Sequence, residues 1–113
     1  MLNHFSSTLD PIFHALADGT RRQIVARLTE GPASVSELAA PLPMSLPAVL
    51  QHLRVLEDSG LVTTRKEGRV RICEACAEPL SAAAAWIADR RAFWERAFDR
   101  LADHLDQDKD TSS

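Results

Sequence analysis

Three groups of residues in this sequence have types and spacings suited to chemistry. The first lies in SLPAVLQHLRVLEDSGL, Ser45 to Leu61. Stepping about 100° per residue along a helix puts Pro47, Gln51, Arg54 and Asp58 on one side, with Leu50 and Val55 flanking. An amide and a guanidinium set among small or apolar groups suit the edges of base pairs. Gln pairs bidentately with adenine and Arg with guanine, and an apolar side chain meets a thymine methyl. The same pattern also fits an ordinary helix packed on a core, and this helix alone leaves both readings open. The second group is RKEGRVR, residues 65–71, where Arg65, Lys66, Arg69 and Arg71 stand against Glu67. A basic cluster of this kind suits phosphate. The third is Cys73-x-x-Cys76. Three readings stay open for it: two small apolar residues, a thiol switch, or half of a soft-metal site completed by a partner chain.

Those groups need elements to hold them. Ser45 is placed to N-cap the helix, Pro47 falls in its first turn and Gly60 follows as a C-cap. Leu46, Val49, Leu53 and Leu56 recur at helical spacing and predict an apolar stripe. Upstream, Ser34-Val35-Ser36-Glu37 is a capping box that opens a short helix, closed by Pro41 and Pro43. A short helix, a tight turn and an amphipathic helix make a helix-turn-helix. Two earlier helices are expected, one opening at Asp10-Pro11 and one from Gly19 to Glu30 behind Asp18 as cap. After Gly60, Leu61–Thr64 and Val70–Cys73 read as two strands, with Glu67-Gly68 as the turn and a basic tip. The order predicts a mainly α winged helix-turn-helix of about five helices with a β-hairpin wing.

The last predicted helix runs from Pro79 to Asp106. Leu80, Ile87, Trp94 and Leu101 fall seven apart, and Ala84, Arg91, Phe98 and Leu105 follow four residues after each. This seam is interrupted only by Arg91, and Trp86 and Phe93 widen it. Either the helix wraps its own domain or it pairs with a second copy. The length of the seam favours pairing through Leu80, Ile87, Trp94, Phe98, Leu101 and Leu105, with the first helix joining the same interface.

At 113 residues, one domain is expected, with a core over about 9–106 and a frayed polar tail over 107–113. The net charge of −3 argues weakly against nucleic acid, but residues 65–71 alone sum to +3 while residues 72–113 sum to −4. No apolar run is long enough to span a membrane, MLNHFSSTLD has no signal-peptide pattern, and two cysteines suit a reducing compartment, so a cytoplasmic protein is expected. His4, His14, His52 and His104 are scattered. The chain has no glycine-rich phosphate loop, nucleophile elbow or H-E-x-x-H, and Asp106 and Asp108 sit in the polar tail, so no enzyme and no cofactor is expected. An acidic body leaves a second class open, a winged helix used for protein interaction or dimerisation.

FHALADGTRRQIVARLTEGPASVSELAAPLPMSLPAVLQHLRVLEDSGLV, the basic hairpin, and W-x-x-x-x-R-x-F-W-E further on resemble the ArsR/SmtB family of bacterial winged-helix repressors over residues 9–105. The resemblance implies a homodimer built from terminal helices that reads a palindrome in double-stranded DNA, with repression lifted by a small effector, often a metal ion. It implies DNA contacts at Ser45, Pro47, Leu50, Gln51, His52 and Arg54 in the helix and at Arg65, Lys66 and Arg69 in the wing. Relatives often carry serine where Leu50 stands, which implies methyl recognition or an altered operator. Arg21 and Arg22 are either phosphate contacts near the start of their helix, or solvated surface or an intradomain ion pair. The family's metal patterns do not carry over. SVSELAAPL has no Cys-x-Cys, and Asp89 and His104 lie 15 residues apart, too far to share an ion within one chain, so no metal site is expected. A thiol-responsive repressor acting through Cys73 and Cys76 is the alternative regulator.

Overall fold

A computed structural model describes the backbone of residues 2–111 and the side chains of residues 8–108. The elements are α1 (Leu2–Leu16), α2 (Gly19–Thr29), β1 (Ala33–Ser34), α3 (Val35–Ala39), α4 (Leu46–Asp58), β2 (Val62–Glu67), β3 (Val70–Ala75) and α5 (Ala77–Thr111). The chain divides between Ala83 and Ala84 into two units. The first holds the helix-turn-helix and the sheet; the second is the outer stretch of α5.

Local chemistry explains the helix ends in the first unit. Asp18 Oδ2 accepts from the Arg21 N–H at 3.0 Å and caps α2. The capping box at α3 is complete: Ser34 Oγ accepts from Glu37 N–H at 3.1 Å, and Glu37 Oε1 accepts from Ser34 N–H at 3.2 Å. Ser45 caps α4 through the Ala48 N–H. At its far end, Gly60 has φ +81°, its N–H donates to Glu57 O, and the Leu61 N–H reaches back to Leu56 O at 3.1 Å. This is a Schellman motif, and the buried Leu61 and Leu56 supply its apolar contact.

The core lies where α1, α2, α3, α4 and the sheet meet. Val49, Leu53 and Leu56 of α4 are buried there with Ile12, Leu28, Leu38 and Cys73, and Ala83 of α5 closes it. Two strands of the sheet form the wing, paired Val62↔Ala75 through Glu67↔Val70. That register leaves Gly68 and Arg69 as the loop, and positive φ at Gly68 alone fits a II′ turn.

The structure corrects several expectations. α1 begins at Leu2 and carries Pro11 inside it, where a start at Asp10 was expected. No glycine interrupts residues 2–10, and burial of Ile12 and Ala15 fixes the turn that follows the proline. Leu46 is 52% exposed, because the covered stripe of α4 starts only at Val49. The wing strands are longer than expected, so Arg65 to Glu67 lie in β2 and the turn shifts to Gly68-Arg69. Ala33 and Ser34 add a third strand, giving the antiparallel order β1-β3-β2. This covers one edge of a hairpin that is marginal alone. α5 continues to Thr111, so residues 107–111 are helical where a frayed tail was expected; no proline or glycine stops the helix there.

Candidate nucleic-acid interface

α4 presents an open face. Pro47, Leu50, Gln51, Arg54, Val55 and Asp58 line a shallow depression of about 400 Å³ on its outer side. Gln51 and Arg54 are exposed, with no polar partner among the described residues. Val55 packs partly on the core, so the apolar part of the face is Pro47 and Leu50, with Leu46 at the helix start. Ser45 is exposed but already engaged as the cap.

His52 is not on this face. It is half-buried, with Nδ1 3.3 Å from Arg21 Nη1 and 3.8 Å from Asp18 Oδ2. The same arginine donates from Nε to Ala15 O at 2.7 Å and from Nη2 to His14 O at 3.1 Å. Arg22 Nη1 donates to Leu16 O at 2.8 Å. Arg21 and Arg22 therefore satisfy the carbonyls that end α1, where positive charge also suits the helix dipole. The structure thus gives both arginines intradomain hydrogen bonds to backbone carbonyls. Through Arg21 the corner between α1 and α2 is tied to the middle of α4. The Arg21 N–H, and behind it the His52 and Arg21 charges, hold the Asp18 carboxyl below its ordinary range.

The wing divides its charges by face. Register puts Thr64, Lys66, Arg71 and buried Cys73 on one side of the hairpin, and Arg65, Glu67, Ile72 and Glu74 on the other. On the outer side Arg65 is neutralised. Its Nε lies 2.9 Å from Glu67 Oε1 and its Nη1 lies 2.9 Å from Glu74 Oε2, and these partners raise its pKa, Glu67 most. On the inner side Arg71 Nη2 pairs with Glu57 Oε1 of α4 at 3.0 Å and also donates to Thr64 Oγ1. This joins the wing to the end of α4. Lys66 shares that side, and Arg69 sits in the loop; among the described residues neither has an ion-pair partner. Four cations in sequence thus become two unpaired ones in space, and the face that carries Lys66 is the face joined to α4.

Neither cysteine is bonded. Cys73 is buried in β3, and burial pushes its thiol up, which lowers the thiolate fraction and its reactivity. Cys76 is half-buried, and its N–H donates to Leu61 O at 2.9 Å. Among the described residues no three His, Cys, Asp or Glu side chains gather as a metal site would require. His14 is exposed, His104 lies 3.5 Å from Asp108 Oδ2, and the side chain of His4 lies outside the described residues.

In the second unit, Ile87, Trp94, Phe98, Leu101 and Leu105 are each more than half exposed. Trp94 meets Phe93 edge-to-face and Phe98 at a tilt, both with centroids 5.9 Å away, and Arg90 lies over the Trp86 ring. Arg91, the break in the seam, pairs with Glu95 at 2.9 Å. Leu80 departs from the expected set: it belongs to the first unit and packs on the core there.

Sequence reasoning missed the Arg21–His52 tie and the Arg71–Glu57 link. The cap at Asp18 was visible because its partner is three residues away; the His52 partner is 31 residues away and gives no local signal.

Comparison with known proteins agrees with this geometry. Residues 16–65 match the family model described as a helix-turn-helix domain. The chain is 46% identical over 101 residues to the HTH-type transcriptional regulator Rv2034 of Mycobacterium tuberculosis, covering 89% of this chain and 92% of that protein. It is 42% identical over 59 residues to the arsenical resistance operon repressor of Escherichia coli, covering 51% of this chain and 50% of that one. A crystal structure of an ArsR family transcriptional regulator superposes with a TM-score of 0.74 at 50% identity, covering 80% of this chain and 93% of the other. With its helix-turn-helix, its wing and relatives that align along nearly its whole length, the chain belongs to the ArsR/SmtB family of winged-helix transcriptional regulators.

Proposed function

We propose that this protein is a sequence-specific DNA-binding repressor that acts in the cytoplasm as a homodimer on a palindromic operator. The observation that carries this reading is the link between two surfaces through the Arg71–Glu57 pair. The open face of α4 holds Gln51 and Arg54, and the wing face joined to α4 holds the unpaired Lys66. In the complex α4 lies in the major groove, Gln51 and Arg54 read base edges, and Lys66 and Arg69 meet phosphate. Ser45 and His52 act by fixing α4, the first as its cap and the second through Arg21. Arg65 contributes less than its position suggests, since Glu67 and Glu74 already hold it.

The second copy binds through the exposed apolar side of α5. Two helices then enter successive major grooves about one helical turn apart. No helix among the described residues is long and apolar enough to cross a membrane. A buried Cys73 with a raised pKa favours a packing role over a thiol switch.

The test is binding of the full chain to the DNA upstream of its own gene, against scrambled duplex, across a salt series. A preference of ~10³-fold or more with a steep salt slope is expected. Weak and equal binding to both duplexes would replace this reading with a protein-interaction module.

A further inference from the structure

The N-terminal half of the open face of α4 is apolar. Leu50 is 38% exposed and Leu46 52% exposed, with Pro47 exposed beside them. Val49 and Leu53 already supply the contact that α4 makes with the core. Leu50 lies outside the buried core cluster, and water meets part of it in the free protein. Its surroundings specify what covers it. Gln51 and Arg54 border the same depression, and among the described residues Lys66 and Arg69 stand unpaired on the wing. Arg54 beside the apolar patch, with Asp58 at the far end of the depression, and Lys66 and Arg69 on the wing complement the phosphates of a duplex, whereas an apolar protein groove would leave these cations without partners.

The major groove offers one apolar group on its unmodified base edges, the C5-methyl of thymine. We propose that Leu50 is a specificity-determining residue that packs on a thymine methyl in each half-site of the operator. This rests on the DNA-binding reading above. Leu50 and Arg54 lie one turn apart, ~6 Å along the helix axis. With the helix lying along the groove, the thymine and a guanine read by Arg54 fall about two base-pair steps apart.

The experiment uses duplexes enriched by the full-length protein from a random-sequence pool. Each selected thymine is then replaced in turn by deoxyuridine, which removes only the methyl. One thymine per half-site is expected to matter, with affinity falling about fourfold for each methyl lost. In Leu50→Ala the thymine-to-deoxyuridine ratio should collapse to one. Alanine is a strong helix former, so the exposed site tolerates it. Lys66→Ala serves as the control: affinity falls on both duplexes and the ratio stays. Enrichment of a defined sequence with no deoxyuridine effect at any position overturns the proposal and leaves the DNA-binding reading standing. A ratio that survives in Leu50→Ala also overturns it, since another residue then reads the methyl. Failure to enrich any sequence sinks the DNA-binding reading itself. 5-Methylcytosine offers the same methyl, so cytosine and 5-methylcytosine are compared at the sensitive position. A gain on methylation extends the contact to methylated DNA, and equal binding confines it to thymine.

Discussion

Gln51 and Arg54 differ from Lys66 and Arg69 in what their surroundings leave them free to do. The first pair projects from a capped helix and carries directional donors and acceptors; the second carries charge at a hairpin tip. Gln51→Ala or Arg54→Ala should cost ~1–3 kcal/mol on the operator and little on scrambled duplex, so discrimination relaxes. Lys66→Ala and Arg69→Ala should weaken binding on every duplex and reduce the salt slope by ~0.9 per subunit, or ~1.8 for the dimer, each. Arg65→Ala should change the slope less, because Glu67 and Glu74 already neutralise it. Binding isotherms at several salt concentrations separate the two classes, and equal effects on both duplexes from all of these changes would refute the division. Asp18 adds a pH prediction. Its folded pKa is depressed below the ordinary 3.8 by the Arg21 N–H and by the nearby His52 and Arg21 charges. Its contribution is therefore complete above the ordinary carboxylate range and disappears as pH falls through the lower folded value. Urea unfolding of wild type and Asp18→Asn should differ at neutral pH and converge only as pH falls below 3.8, through the lower folded value.

At the scale of elements, α4 is defined by its ends. Ser45→Ala removes the bond to the Ala48 N–H and should cost about 0.5–2 kcal/mol in denaturant unfolding. Gly60→Ala places a Cβ on a residue at φ +81° and should cost about 1–2 kcal/mol, while space around it is not the obstacle, since Pro79 Cγ would lie at an ordinary 3.7 Å. An unchanged midpoint in either variant would show that packing of Val49, Leu53 and Leu56 alone sets the helix. The wing needs its third strand and its tie to α4 in the same way. β1 covers an edge of β3, and Arg71 bridges Glu57 and Thr64. That exposed bridge contributes less to stability than the caps do; burial of Val62 and Cys73 sets which face of the wing turns inward, and Arg71 joins that face to α4.

For the whole molecule, the proposed dimer makes the strongest claim. The outer stretch of α5 exposes Ile87, Trp94, Phe98, Leu101 and Leu105, more apolar surface than a small soluble monomer leaves in water. Trp94→Glu together with Phe98→Glu should convert a dimer into a folded monomer in sedimentation velocity. Affinity for a palindrome should then fall toward that for a single half-site. A dimer that survives both changes would place the interface elsewhere. The fold of the first unit should be unaffected, because neither residue contributes to its core.

Much of this was legible in the sequence because the interactions involved are short. A cap bonds three residues ahead and a Schellman motif spans six residues, whereas the wing turn was read one residue early because strand pairing extends β2 to Glu67. Helix-turn-helix, wing and the outward face of α4 all follow from such local rules together with the period of the apolar residues. Tertiary structure alone decided which charges remain available. Arg21 finds His52 across 31 positions, and Arg71 finds Glu57 across 14. Arg65 is held first by Glu67, two positions along its own strand, and strand pairing adds Glu74 as its second partner. It also decided that Leu80 packs inward and that Ala33 and Ser34 pair with β3. Partners far apart in the chain meet only when the core has set the distance between their elements, so no spacing in the sequence announces them.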